Sequence, residues 1–407
     1  MLEKSLSRYV YRKSLEALWR KGRSADPPVP PAGGKPLMLY LHVPFCQELC
    51  GFCTFNRYPF EEGLARRYFQ ALRAEIEIYH SMGCAVVGLY VGGGTPTVLP
   101  GELARTIGLV RSLWNPPVIS VETHPDHLTE ETCALLEEAG VNRLSVGVQS
   151  FQEPVLATLD RRSRHISRDE IRARIRRSIA RFPTVNLDLI FAAPGRTIDS
   201  LKEDILAVNE LLPHQVTFYP LMSPRSSDGV STVPPRHLYA LIRRRLSGRY
   251  RPSSGWSFSL ADGSPIDEYI SKSEDYAGLG SGSFGYLDGR FYANTFSIPA
   301  YLRAIGAGEL PVVRSRRLRR SERIRYYSLM SLSNGHFDLG EALRKFGFIS
   351  LLQLWRELLM VAAAGGIGAG RPVRFTGKGR YFSMLAMRAF FSAVGEFREL
   401  CRRISTA

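Results

Sequence analysis

Six short apolar runs recur through residues 37–221, and between successive runs lies a stretch whose apolar positions repeat at helical spacing. The runs are LMLYLHV (37–43), AVVGLYV (85–91), VISVETH (118–124), NRLSVGV (142–148), NLDLIFA (186–192) and QVTFYPL (215–221). Between them stand EEGLARRYFQALRAEIEIYHS, GELARTIGLVRSL, TEETCALLEEAG, an arginine-rich helix and TIDSLKEDILAVNELL. Strands that are apolar on both faces belong in a parallel sheet covered by helices, because parallel neighbours need crossover connections. The alternation predicts an α/β fold, a partial or full β/α barrel of (β/α)6 type, with functional groups where strands end and βα loops begin. Five of the strands do run into polar or glycine-rich sequence: a cysteine loop, GGGTP (92–96), E-T-H-P (122–125), Gln149-Ser150, and AAPG after Asp188.

Around this core, residues 1–36 predict an N-terminal helix followed by a proline/glycine linker (DPPVPPAGGKP, 26–36). Residues 37–300 form the core with a substrate-side extension, and 301–407 a smaller, mainly helical, winged-helix-like C-terminal domain, read as a lid over the substrate. No run of about 18 apolar residues is present to cross a bilayer, and the N-terminus is basic and amphipathic without a secretory core. A cytoplasmic location is the expectation.

The loop HVPFCQELCGFCTF (42–55) gathers Cys46, Cys50 and Cys53, half of the chain's six cysteines. A C-x3-C-x2-C triplet offers three thiolates from one loop, which suits three irons of a cubane 4Fe-4S cluster and leaves the fourth iron open as a reaction site. Zinc is the competitor, but a structural zinc closes its tetrahedron with a fourth ligand, and no second Cys/His pair is spaced to supply one. Cys84, Cys133 and Cys401 are scattered and read as packing residues.

With these residues in view, the sequence resembles the radical S-adenosylmethionine (SAM) superfamily. The resemblance is carried by Y-L-H-V-P-F-C-x3-C-x2-C, V-G-G-G-T-P, V-E-T-H-P, G-V-N-R-L-S-V-G-V-Q-S-F, L-x-R and D-L-I-F-A-x-P-G, over roughly residues 37–300. It points to the branch containing oxygen-independent coproporphyrinogen III oxidase, the related heme chaperones and the HemN-like class C methyltransferases. The resemblance implies that the open iron chelates the methionine end of SAM, that the reduced cluster cleaves the sulfonium, and that a 5′-deoxyadenosyl radical abstracts hydrogen from carbon.

It also implies roles for particular residues. Gly92, Gly93, Gly94 and Thr95 would hold SAM's amino acid portion, and Arg161 its carboxylate. Phe52 would pack near the adenine, and Gln149, Asp188 and Ile190 match SAM-binding positions. Glu122, at a strand end, should have a donor partner such as a ribose hydroxyl or Arg161. Tyr40 matches a tyrosine at a second SAM site, so two SAM molecules are expected; a core tyrosine is the ordinary alternative. His42 shares a strand face with Tyr40 and is read either as a proton donor or acceptor or as a satisfied core histidine.

Within the branch, the region 267–297 keeps Y-x-G-L-G-x-G but lacks the heme chaperones' H-N-x-x-Y-W set. Phe55 stands where the porphyrinogen oxidases carry a further cysteine, and the N-terminal arm is shorter than theirs. The expectation is therefore a class C methyltransferase acting on an sp2 carbon of an apolar planar acceptor, a quinone such as menaquinone being the example. Coproporphyrinogen III oxidation and heme chaperoning are the alternatives. Trp256, Phe258, Phe284, Tyr286, Phe291, Tyr292 and Phe296 either line a substrate channel or form core. A flavodoxin or ferredoxin would deliver the electron. The net charge of +16, arginine-rich, suits contact with an anionic membrane at the inner face or a carboxylate-bearing substrate better than specific nucleic-acid binding, since no aromatic-basic module appears.

Overall fold

The structure, a computed structural model, describes residues 2–19, 34–161, 166–222, 231, 233–261, 275–333 and 336–406, apart from 353, 355–358, 360, 363–364 and 369–372. Residues 26–33 of the expected linker, 162–165 of the arginine run and 267–274 of the segment compared with the heme chaperones lie outside the described residues.

Six parallel strands form the centre of one twelve-stranded sheet: β1 (Pro36–Val43), β2 (Ala85–Gly93), β3 (Ile119–Thr123), β4 (Arg143–Gln149), β5 (Thr184–Ala192) and β6 (Gln215–Pro220). The crossovers carry α2 (Glu62–Ser81), α3 (Pro100–Trp114), α4 (Glu130–Glu138), the short α5 (Glu153–Thr158), α6 (Arg168–Arg181) and α7 (Ile198–Leu211). This is the partial barrel that the alternation predicts. Further strands, which that alternation does not reveal, continue the sheet at both edges. β8 (Ser257–Leu260) and β7 (Tyr250–Pro252) follow β6, while β9 (Tyr276–Leu279) pairs in parallel with β1 and leads to β10 (Phe284–Leu287), β11 (Arg290–Asn294) and β12 (Val312–Arg317). The main sheet thus runs past the boundary expected at residue 300.

Strand β1 separates two environments by its period of two. Leu37, Leu39, Leu41 and Val43 join the main core with Ala65, Phe69 and Leu72 of α2, whereas Tyr40 and His42 alternate onto the other face. The inner face of the later strands is polar. Ser145 Oγ donates to Asp188 (2.7 Å), Asn186 Nδ2 to Ser145 Oγ (2.8 Å) and Thr217 Oγ1 to Asn186 Oδ1 (2.9 Å). A linked set of this kind satisfies groups that would be costly to bury alone.

Helix α6 carries its arginines on a solvated face, with Arg174 and Arg177 on Glu170 and Arg181 on Glu137. Cys84, Cys133 and Cys401 are buried free thiols. The C-terminal part contains α10 (Arg320–Ser333), α11 (Leu339–Leu352), a three-stranded antiparallel sheet of His336–Phe337, Val373–Phe375 and Ile367–Gly368, and the long α12 (Gly377–Thr406). The N-terminal helix α1 (Leu2–Trp19) lies along α12, where Tyr11 donates to Glu396, Tyr381 donates to Glu3 (3.2 Å), and the Trp19 and Phe397 rings meet at 6.2 Å. Among the described residues no helix is long and apolar enough to cross a membrane.

Candidate functional site

The cysteine loop leaves β1 and is braced from behind by side chains that are distant in sequence. Tyr58 N donates to Pro44 O (2.6 Å) and Phe60 N to Cys46 O (2.9 Å), closing the loop on itself. Asn56 Nδ2 donates to the backbone carbonyls of Ser281 and Phe296, both at 3.2 Å. Tyr68 of α2 donates to His42 O (2.7 Å) and accepts from Ser281 N (2.8 Å). Beneath them Glu75, fully buried, accepts from Gly280 N (2.8 Å), Tyr301 Oη (2.7 Å) and Asn294 Nδ2 (3.2 Å), and burial raises its pKa to about 7. From the opposite side α12 reaches over the loop: Arg402 Nη2 donates to Thr54 O and Phe55 O, each at 2.8 Å, and the Arg398 guanidinium sits 4.3 Å above the Phe55 ring.

Along the rim the strand ends come together as the sequence predicts. Thr95 Oγ1 lies 3.7 Å from Cys46 Sγ, and Arg161 Nη1 lies 3.6 Å from Cys50 Sγ while its Nη2 donates to Gly147 O (2.6 Å). Glycine is required at position 93, where φ is +116° and a Cβ would fall 2.6 Å from the His42 ring; at Gly94 a Cβ would fall 2.6 Å from Phe45 O and 3.0 Å from Cys46 Sγ. Glu122, expected to meet a donor such as a ribose hydroxyl or Arg161, accepts from Tyr90 Oη (2.9 Å) and Gly93 N (3.2 Å). Gln149 adopts φ +66°, a left-handed conformation that costs a non-glycine residue about 1 kcal/mol and turns the chain sharply at the end of β4. Asp188 accepts from Ser145 and from Asn186 Nδ2 (2.8 Å), and burial pushes its carboxyl up. Ile190 packs with Val155, Leu159, Ala193 and Leu221, and Phe52 leans on that apolar group from the cysteine loop.

Three thiols on one loop, a glycine cradle and an arginine beside a sulfur fit an iron-sulfur cluster. Burial raises the Cys46 thiol to about 11 and pushes Cys53 up, so these sulfurs keep their protons until a metal displaces them. Among the described residues no three His, Cys, Asp or Glu side chains converge on one metal ion. A cubane makes no such demand, since each iron takes its own thiolate.

Tyr40 and His42 lie on the side of β1 that faces a cavity. His42 Nε2 is 2.8 Å from Asn56 O, a pure acceptor, so Nε2 carries the proton and Nδ1 accepts from Tyr40 Oη at 2.9 Å. Both ring nitrogens of His42 are thus engaged, and burial lowers its pKa to about 4. The cavity, about 300 Å³, lies between α1, α10, α12 and strands β9–β11. Phe284, Tyr286 and Phe291 line it and also belong, with Phe296, to a buried apolar cluster, whereas Trp256, Phe258 and Tyr292 pack in the main core. The N-terminal helix contributes Leu6, Val10 and Ser14 to its wall, so the short N-terminal arm does roof the cavity.

Sequence reasoning missed the long-range supports. Arg196 and Asp204, both fully buried, pair with each other; Arg196 Nη2 donates to Ile190 O (2.6 Å), while Asp204 accepts from Ser150 Oγ (2.8 Å) and Phe151 N (2.7 Å). They lock the ends of β4 and β5 together. An arginine directly after AAPG and an aspartate on the apolar face of a helix are the only local hints of this pair.

The radical SAM superfamily profile matches residues 40–208, from Tyr40 through the cysteine loop, the glycine rim and Asp188. The heme chaperone HemW of Mycobacterium tuberculosis is 33% identical over 310 residues, covering 70% of this chain and 78% of that protein. The chain belongs to the radical SAM superfamily. Members use a 4Fe-4S cluster and SAM. The oxygen-independent coproporphyrinogen III oxidase of Pseudomonas aeruginosa is 27% identical over 392 residues, spanning 85% of this chain and 84% of its own length. Among solved structures, the coproporphyrinogen III oxidase HemN of Escherichia coli superposes with a TM-score of 0.71 at 22% identity, over 92% of each chain, so this radical SAM protein shares its fold throughout.

Proposed function

We propose that this radical SAM protein is an enzyme acting on a propionate-bearing tetrapyrrole, with oxidative decarboxylation of the coproporphyrinogen type as its reaction. The observation that carries the reading is the aromatic cavity bounded by Tyr40 beside the cysteine loop, in a chain whose relatives over most of its length are named for tetrapyrroles. Cys46, Cys50 and Cys53 would hold three irons, and cluster and SAM together supply one-electron cleavage of the sulfonium and hydrogen abstraction from carbon. Gly92, Gly93, Gly94 and Thr95 bring backbone and a hydroxyl to SAM's methionine end, Arg161 pairs its carboxylate, Glu122 receives a ribose hydroxyl, and Phe52 with Ile190 gives the adenine an apolar bed. Gln149 and Asp188 complete the polar wall. Tyr40, held by His42, turns its phenol toward the second ligand, a second SAM or the substrate itself. The roof formed by α1 and α12 excludes water, which a reactive carbon radical requires. A small one-electron donor such as flavodoxin or ferredoxin fits the need for a reductant, and a one-electron acceptor of the same class would take the electron that the substrate radical gives up as carbon dioxide leaves and the vinyl double bond forms.

Of the two features that count against an oxidase in the sequence, the short arm is offset by where it lies, and the missing cysteine stands. The short N-terminal arm lies over the cavity, and Phe55, in place of the extra cysteine, is occupied by Arg398 stacking. Heme carriage is the second reading, favoured by the 33% identity to a heme chaperone and opposed by the missing H-N-x-x-Y-W set. Methyl transfer to a quinone has no support from the names of the relatives.

The test is anaerobic reconstitution with iron and sulfide, reduction, and incubation with coproporphyrinogen III and SAM labelled at its methyl group. Stoichiometric 5′-deoxyadenosine with loss of carbon dioxide from the tetrapyrrole supports the proposal. Label in the acceptor identifies methyl transfer, tight heme retention without SAM turnover identifies a carrier, and a tetrapyrrole neither bound nor altered overturns the reading.

A further inference from the structure

The wall of the cavity is apolar and aromatic, but its ionisable groups are unbalanced: Lys13, Arg319, Arg325 and Arg398 face it, against Glu16 and Glu322. Both acids are engaged at close range, Glu16 by Lys13 (2.7 Å) and Glu322 by Arg316 (2.7 Å). The excess is positive. A guest that enters such a space gains by carrying negative charge on an otherwise apolar frame.

Arg398 is the cation best placed to meet it. Its guanidinium lies 4.3 Å from the ring centre of Phe55 and 5.4 Å from that of Phe284, so two aromatic rings hold the cation in place. Phe55 belongs to the cysteine loop, and Tyr40 and His42 bound the same cavity, so this charge stands between the cysteine loop and the cavity. Arg402, one helical turn further along α12, ties that helix to Thr54 and Phe55 through their carbonyls, which keeps Arg398 in register with the loop. A planar guanidinium fixed in this way presents a fork that matches a carboxylate.

We propose that Arg398, stacked between Phe55 and Phe284, is a carboxylate-binding subsite that orients an acidic guest against Tyr40 and the cysteine loop. The assignment rests on the tetrapyrrole reading and deepens it. A ring propionate and the methionine carboxylate of a second SAM share the required chemistry, and the site selects acids over neutral planar molecules such as quinones. Loss of one charge-assisted contact of this kind weakens binding by about ten- to a hundred-fold.

The test uses the full chain, reconstituted anaerobically, in four forms: wild type, Arg398→Leu, Arg398→Lys, and Arg403→Leu as a control for net charge at a largely exposed position. One arm titrates coproporphyrin III and its tetramethyl ester in dilute detergent. The other measures the number of SAM equivalents bound at equilibrium. The expected result in the first arm is a free acid bound at least about ten-fold tighter than the ester by the wild type, a preference lost in Arg398→Leu, largely kept in Arg398→Lys and intact in Arg403→Leu. If acid and ester bind alike but Arg398→Leu loses a second SAM equivalent, the carboxylate is that of SAM. Acid and ester bound equally, with SAM stoichiometry unchanged in Arg398→Leu, overturns the subsite and leaves the tetrapyrrole reading standing. A wild type that binds neither porphyrin form sinks the tetrapyrrole reading, and the SAM arm then decides the subsite alone. Should Arg398→Leu fail to retain its cluster, the acid/ester ratio of the wild type and the behaviour of Arg398→Lys decide.

Discussion

Behind the cysteine loop, each oxygen of the Glu75 carboxylate meets a donor, and Tyr68, Asn56, Tyr301 and Asn294 close the network around it. In front of the loop, the rim is built from glycines with no room for a Cβ, a glutamine in left-handed conformation, and Asp188, whose carboxyl burial pushes up. The two flanks use the same strand, and His42 belongs to both: its ring meets Tyr40 on one side and the Asn56 carbonyl on the other. The rear is optimised for stability and the front gives up stability to bring backbone and charge close to a ligand. Substitutions on the two flanks should therefore fail differently.

The largest effect belongs to the loop itself. Cys46→Ala should abolish the brown colour of reconstituted protein and with it formation of 5′-deoxyadenosine, while circular dichroism stays native. Next comes the strut below the rim. Arg196→Ala strands the Asp204 carboxylate and should lower unfolding free energy by about 3–5 kcal/mol, read by denaturant titration of the apoprotein. Glu75→Ala leaves Tyr301, Asn294 and the Gly280 amide without their acceptor and should cost about 2–3 kcal/mol. Glu75→Gln separates charge from shape. Since burial raises the folded pKa from 4.5 to about 7, the stabilisation is full below pH 4.5 and is lost as pH rises through about 7. The wild-type melting temperature should fall across that window, and Glu75→Gln should flatten the fall; an unchanged profile would show that the carboxylate is not the titrating group. Smallest is Gln149→Gly, which relieves the left-handed backbone and should stabilise the fold by up to about 1 kcal/mol while weakening SAM retention. A variant less stable than wild type would break the contrast between the flanks.

What was legible in the sequence follows the range of the interactions. The six parallel strands announce themselves because each is a local apolar run followed by its crossover helix, and the rim follows because strand ends converge by topology alone. The rear brace does not announce itself. Glu75 meets Tyr301 across 226 positions and Asn56 meets Phe296 across 240, so each residue reads locally as an ordinary helix acid or loop amide. In the aromatic stretch 256–296, only the placement of β10 and β11 beside the cavity separates Phe284, Tyr286 and Phe291, which line it, from Trp256, Phe258 and Tyr292, which do not. The placement of α1 over that cavity depends on α12, which lies at the other end of the chain.

The docking of α12 onto the cysteine loop also bears on how the protein matures. During synthesis the three thiols leave the ribosome long before Arg398 and Arg402 exist, so for most of translation nothing from that helix covers Thr54 or Phe55. Iron and sulfide delivered in that interval meet a loop without its clamp; delivered later, they meet three half-exposed thiols on a loop the helix already holds.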